Sequence, residues 1–452
     1  MPNDPTPPAR IQPRTLKGFR DYLPETMIPR QRCMDTARDV FQRFGFAPID
    51  TPALEYLEVL TGKGSEETDR QMFYFTDNGG RNVGMRFDLT VPLARFAAQH
   101  AATLGTPFRR FHIAPVWRGE TPQKGRFREF IQCDFDTIGT RSVAADTEIV
   151  LVIHQLLTAL DVPGFKIHLN NRQVLTGLLQ HLGLENLSTA ILRSLDKLGK
   201  IGREKTAAEM VSAAGISASD ADAVLRLADL QGDTMQVLDD LPSVTGGNET
   251  AAEGTNRLRA IVDNAIASGV SADQVQLDVS IARGLDYYTG VIFETFLDDL
   301  PQIGSVCSGG RYDNLAGMFT KQDLPGVGAS LGLDRLLAAL EQLQLLPSVS
   351  TPAPVFLPYF ASEHLTDYLR IAAQLRSAGI GVELYPDPKK LGKQLQYADR
   401  KGFRLAVIAG TQELSENRVQ LKNLADKSSR DVPYSPESPG DLIQAISGLL
   451  NP

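Results

Sequence analysis

Within residues 107–139, PFRRFHIAPVWRGETPQKGRFREFIQCDFDTIG, Arg118, Arg126 and Arg128, with Glu120 and Asp136, are spaced to face one cleft. A guanidinium is a planar donor fork that matches phosphate or carboxylate. That grouping therefore points to an anionic or zwitterionic ligand. A solvated edge hairpin with surface ion pairs would show the same local pattern. Two further arginines, Arg283 and Arg335, stand far along the chain beside glycines. Collecting guanidinium groups from separate segments is what a polyphosphate requires. Asp88, Glu120 and Asp136 supply the opposite preference, for an amine or a protonatable ring. Hydrolytic Ser/His/Asp chemistry has no support, and His112 and His168 fall within strand-like runs as packed or surface residues. The six histidines and three cysteines form no HxxH or CxxC pair, so no zinc site is expected. Magnesium stays open, because it often uses one or two carboxylates plus phosphates.

The elements that must position these groups are readable in outline. RRFHIAPVWR and FREFIQCDFDTIG form two strands around the polar turn GETPQKGR, a hairpin with a long charged loop. Ahead of it, IPRQRCMDTARDVFQRFG has helical periodicity ending at Gly45, and Pro48 and Pro52 keep FAPIDTPALEYLEVL extended. MFYFTDNGGRNVGMRFDLTVPLARF gives strand, tight NGG turn, strand, then a helix opened by Pro92, with Asp88 and Thr90 at the strand end. SVAADTEIVLVIHQLLTAL is a helix capped by Ser142 or Asp146. Residues 173–265 are Ala- and Leu-rich and helical. CSGGRYDN is expected as a glycine-rich turn, and LPGVGASLG as a glycine run entering a helix near Leu331, with Arg335 in its first turns. After the junction LLPSVSTPAP a strand–helix alternation implies a small α/β domain. It carries twelve Lys and Arg against eleven Asp and Glu, with Lys389, Lys390, Lys393, Arg400 and Lys401 along one helix.

The 452 residues can bury a large core, and the 42% hydrophobic, 22% charged composition is that of a globular protein. No run of 18 apolar residues occurs, so no membrane partner is expected. The N-terminus reads as a loose polar tail rather than a signal peptide. Three widely separated cysteines make no disulfide framework, which fits a cytoplasmic setting. A net charge of −8 argues against nucleic-acid binding over the whole surface but not at a local basic patch.

Five ordered blocks carry a resemblance. The hairpin resembles motif 2 of class II aminoacyl-tRNA synthetases, and FGFAPIDTPALEYLE resembles motif 1, with Pro52 as its proline. ARGLDYY and CSGGRYDNL resemble the two signature peptides of the histidyl-tRNA synthetase family, and GVGASLGLDRL its motif 3. KLGKQLQYADRKG is similar to part of its anticodon-binding domain. The fold implied is α+β: an antiparallel catalytic sheet flanked by helices (1–172 and 266–345), a helical insertion (173–265) and a C-terminal α/β anticodon-binding domain (352–452).

The resemblance also implies ATP with Mg²⁺ as substrate, no prosthetic group, and a homodimer. L-histidine and histidine tRNA are the other partners, joined through a histidyl-adenylate. Arg118 and Arg283 match the catalytic arginines. Arg118, Glu120, Phe130 and Arg335 match ATP-binding positions. Asp88, Thr90, Gln132, Asp136, Arg283, Tyr287 and Tyr288 match positions around histidine, and Gln123, Arg126 and Lys393 face tRNA. MRFDLTV (85–91) replaces the LRPEGTA common in bacterial members, and Asp136 and Asp334 stand where glutamate is commoner. The nearest rival is the synthetase-like regulatory subunit of ATP phosphoribosyltransferase, which usually lacks the anticodon-binding domain.

Overall fold

The computed structural model describes residues 11–61, 69–122, 125–230, 232–281, 287–346 and 350–450. Gln123 and Arg283 lie outside them. The chain forms two compact units, Met1–Arg20 with Cys33–Leu345, and Asp21–Arg32 with Leu346–Pro452.

The first unit is built on eight strands: β1 (Ala47–Pro48), β5 (Phe108–Trp117), β6 (Glu129–Ile138), β7 (Phe165–Asn171), β8 (Val275–Leu277), β9 (Val291–Leu297), β10 (Cys307–Arg311) and β11 (Gly326–Gly332). Their order across the sheet is β1-β5-β6-β11-β10-β9-β7-β8. The six inner strands pair antiparallel, while the two outer pairs, β1 with β5 and β7 with β8, are parallel. The sheet is therefore mixed rather than wholly antiparallel. Residues Cys133 to Ile138 of β6 are all buried, as expected of a central strand covered on both faces. Phe41 packs on Phe111 and Phe135, with ring centroids 5.6 and 4.9 Å apart. Helix Val143–Ala159 buries Ile149, Val150, Ile153, Leu156 and Leu157, and Ser142 caps it by accepting from the Ala144 amide. Asp146 is not the cap; it pairs with Arg311 and Arg257.

The segment expected as a glycine-rich turn and the one expected as a glycine run entering a helix are both strands. β10 contains Gly309 and Gly310, β11 runs to Gly332, and the next helix starts at Leu333, not Leu331. The reason is steric. In register, a Cβ on Gly309 would lie 2.2 Å from the Gly328 carbonyl oxygen. Glycine here allows close approach inside a sheet rather than punctuating it.

β2 (Leu54–Tyr56), β3 (Tyr74–Thr76) and β4 (Asn82–Met85) make a small antiparallel sheet in the order β2-β4-β3. Strand β4 stops at Met85, short of Asp88. Helix Thr90–Leu104 has Pro92 in its first turn rather than at its start. Between β7 and β8 the chain departs into helices, from Arg172–His181 to Glu249–Ala267, which bury Leu178, Ile191, Val224, Leu238 and Leu258.

In the second unit β12 (Val355–Leu357), β13 (Val382–Leu384) and β14 (Leu405–Ile408) are parallel, linked by helices Leu365–Ser377 and Leu391–Lys401. The alternating pattern anticipated this part. It missed the antiparallel strands β15 (Arg418–Asn423) and β16 (Ser429–Pro433), which extend the sheet beyond β14. Lys389 and Lys390 precede the helix instead of lying on it, and Lys389 pairs with Asp387 at 3.1 Å.

Candidate active site

Arg118 follows the last residue of β5, and its backbone N–H donates to the Arg128 carbonyl at 2.9 Å, closing the hairpin. Its Nε donates to the Phe87 carbonyl at 3.1 Å, and its guanidinium lies 4.4 Å from the Phe87 ring centroid and 5.0 Å from that of Phe130. Packed between these rings, the fork is held in one orientation. Two adjoining cavities open from it, sharing Arg118, Gln132, Ser308 and Ser330.

The smaller cavity contains Arg118, Glu120, Arg126, Phe130, Asp334 and Arg335. Arg335 donates to the Ser305 carbonyl, and its pKa is lowered by burial and by the neighbouring Arg126 and Arg118 guanidinium groups. Such mutual repulsion in a partly desolvated cleft is relieved by a polyanion. Glu120 partly offsets it, 3.7 Å from Arg126. Arg128, expected to face the same cleft, turns away and donates to the Glu120 and Lys17 carbonyls.

The larger cavity has the opposite sign. Asp88, Thr90, Gln132, Asp134, Asp136, Tyr287, Tyr288 and Tyr312 line it with Arg118. Asp88 accepts from the Thr90 and Val91 amides at 3.0 and 2.9 Å, so it caps a helix rather than ending a strand, and burial raises its pKa. Gln132 donates to Ser330 at 3.0 Å, leaving its buried oxygen without a hydrogen bond. Asp136 accepts from the Tyr312 hydroxyl and lies 2.7 Å from Arg110, which is itself 3.8 Å from Asp134. Arg110 is fully buried, as are both carboxylates to within 2%. One guanidinium cannot balance two acids in this setting. Burial, with the nearby Asp136 charge adding to it and Arg110 opposing it, pushes Asp134 up to about 7. Asp136 is raised as well, by burial. Burial holds the phenols of Tyr287, Tyr288 and Tyr312 neutral, as hydrogen-bond donors.

Gly328 faces Asp136 in the β6–β11 register, and a Cβ there would lie 2.0 Å from Asp136 Oδ1. The glycine makes the space in which the carboxylate sits. Arg110, Asp134 and Tyr312 were missed by sequence reasoning. Their signals were present: Asp134 and Asp136 are two apart on one strand and share a face, and Tyr312 belongs to CSGGRYDNL. Lys393 is exposed on helix Leu391–Lys401 of the second unit. His112, whose Nε2 is 3.0 Å from Asp50, is buried, and burial with Arg110 and Arg86 brings its pKa down to about 4. His168 meets Asp278. Neither histidine lines the clefts.

The positive and negative cavities meeting at one arginine accommodate a zwitterion beside a polyphosphate. A family model described as histidyl-tRNA synthetase matches residues 18–336. The chain belongs to the histidyl-tRNA synthetase family. Within it, a second model, an anticodon binding domain, matches residues 347–436. The chain is 69% identical to a histidine–tRNA ligase of Rhodopirellula baltica over 98% of its length and 100% of the relative's. It is 44% identical to that of Wolinella succinogenes, covering 98% and 99%. A crystal structure of histidyl-tRNA synthetase from Nostoc sp. PCC 7120 superposes with a TM-score of 0.88 at 34% identity, covering 97% of this chain and 100% of that one. The fold is that of the class II synthetases.

Proposed function

We propose that this protein joins L-histidine to histidine tRNA at the expense of ATP, through a histidyl-adenylate. The observation that carries the reading is the pair of oppositely charged cavities joined at Arg118. Arg118 addresses the histidine carboxylate and the α-phosphate together, which aligns nucleophile and leaving group. A carboxylate oxygen attacks the α-phosphorus, the bond to the bridging oxygen breaks, and pyrophosphate leaves. Arg118 offsets the charge that grows on the phosphoryl oxygens, a role the family resemblance also gives to Arg283. Arg335 takes the γ-phosphate, while Glu120 and Phe130 hold adenine. Asp88, Thr90 and Gln132 receive the α-ammonium. Asp136, with Tyr287 and Tyr288, receives the imidazole. A site that pairs both ring nitrogens rejects other side chains, because they would leave a buried polar group unpaired. The 3′-terminal ribose hydroxyl of tRNA then takes the histidyl group and releases AMP, with Gln123 and Arg126 at the acceptor end.

Glu120 and Asp334 are the carboxylates of the nucleotide-side cavity. Glu120 is assigned to adenine and both Asp334 oxygens accept from Arg20 and the Ile131 amide, so Mg²⁺ would arrive held mainly by the ATP phosphates rather than by a protein cage. Among the described residues no three His, Cys, Asp or Glu gather as metal ligands. No helix among them is long and apolar enough to cross a membrane. Residues 1–172 and 266–345 form the catalytic part of this reading, 173–265 an insertion, and 352–452 the anticodon-binding part with Lys393. By register Leu54, Tyr56 and Phe75, 44–52% exposed, share one face of the small sheet, an apolar patch suited to a homodimer contact. Charging of histidine tRNA with labelled histidine tests the function: ATP-dependent incorporation is expected, and a folded sample that charges no tRNA with histidine refutes it.

A further inference from the structure

Residues 17–20 lie against both walls of the nucleotide-side cavity. The Gly18 carbonyl accepts from the Arg128 amide at 2.9 Å, and the Lys17 carbonyl accepts from Arg128 Nη1 at 3.4 Å. Arg128 in turn donates from Nε to the Glu120 carbonyl at 3.2 Å, so the turn that carries Glu120 and Arg126 is tied to this segment. Gly18 has φ +87°, and a Cβ there would lie 2.8 Å from the Arg128 side chain and 2.9 Å from Pro122. Only glycine fits the approach. Phe19 meets Phe73 edge-on at 6.2 Å.

Arg20 completes the bridge. Its guanidinium lies 3.9 Å from the centroid of the Phe127 ring, which lines the cavity. Its Nη2 donates to Asp334 Oδ1 at 3.1 Å, and the other Asp334 oxygen accepts from the Ile131 amide at 3.0 Å. Asp334 is 2% exposed, lines the same cavity and precedes Arg335 in the chain. Arg20 therefore joins the start of the helix bearing Arg335, strand β6 bearing Phe130 and Gln132, and the turn bearing Arg126.

We propose that Arg20 is a positioning residue for ATP, fixing Asp334 and the Phe127 wall so that Arg335, Phe130 and Glu120 meet the nucleotide in one geometry. This rests on the reading of that cavity as the ATP site. Arg20 lines neither cavity itself, and the two groups it touches, Phe127 and Asp334, line only the nucleotide-side one. Its loss should consequently separate the two substrates.

The test is ATP–pyrophosphate exchange with histidine, measured as separate KM values for the full-length wild type, Arg20→Ala, Arg20→Lys and Gly18→Ala. Arg20→Ala is expected to raise KM for ATP by about tenfold with KM for histidine changed less than about twofold, the signature of a one-sided loss of binding. Arg20→Lys, which keeps the charge on Asp334 and loses the planar stack, should recover part of the difference. Gly18→Ala should move KM for ATP in the same direction as Arg20→Ala. An unchanged KM for ATP in Arg20→Ala overturns the proposal, as does an equal rise for both substrates, which would mark a merely structural segment. A wild type without histidine-dependent exchange would instead overturn the functional reading beneath it.

Discussion

At the scale of single residues, Arg118 and Asp134 illustrate two uses of burial. Arg118 is half-buried, stacked and hydrogen-bonded, so its charge is fixed in place before substrate arrives. Arg118→Ala is expected to lower the single-turnover rate of adenylate formation by about 10²–10³-fold, the range for removing one preorganised charge-stabilising donor. Circular dichroism should show the fold retained. Asp134 is different, because its pKa stands above its ordinary value, at about 7. A raised carboxyl pKa favours the folded state while the group is protonated. That contribution is complete below about pH 4 and is lost as pH rises through about 7. Asp134→Asn, permanently neutral, should flatten that part of the stability profile. Thermal melts between pH 5 and 8 would show a smaller fall in Tm for the variant, and parallel curves would contradict this. The place of Arg118 at the end of a strand was readable from the hairpin pattern, while the role proposed for it came from the family resemblance. Asp134 was not assigned, because no local pattern states that Arg110, which faces Asp136 across the hairpin, also lies 3.8 Å from the Asp134 carboxylate.

At the scale of elements, the periodic segments were legible and the glycine-rich ones were not. The helix over 143–159, its Ser142 cap and the hairpin of β5 and β6 follow from apolar spacing and turn chemistry. β10 and β11 broke the usual rule, since their glycines serve a close approach between strands and leave room for Asp136. Gly328→Ala should cost about 1–3 kcal/mol from forced repacking. It should also raise KM for histidine more than KM for ATP; urea melts and exchange kinetics check both. Helix Val143–Ala159 is tied to β10 by Asp146, which accepts from Arg311 at 2.9 and 2.6 Å with both side chains nearly inaccessible. Asp146→Ala should destabilise the protein by about 3 kcal/mol, because it leaves a buried guanidinium short of its partner. Urea unfolding would detect that loss.

At the scale of the whole molecule, the order of strand, helix and glycine blocks disclosed an α+β chain with a helical interruption and a second α/β unit. The crossing of β6 and β11 between blocks two hundred residues apart was not legible, since no local pattern states which strands will neighbour. Of the basic residues proposed to face tRNA, Lys393 belongs to the second unit, on a helix that also carries Arg400. Replacing Lys393 and Arg400 together by alanine should raise KM for tRNA by about tenfold and shallow its salt dependence by one to two phosphate contacts, roughly as counterion release requires. Histidine-dependent exchange should be untouched, and a parallel loss of exchange would deny the division of labour. The central claim, that the bipolar cleft selects histidine for activation by ATP, is tested most directly by ATP–pyrophosphate exchange with each of the twenty amino acids in turn. Histidine alone should support exchange. Exchange with a different amino acid, or with none in a folded sample, would contradict the account.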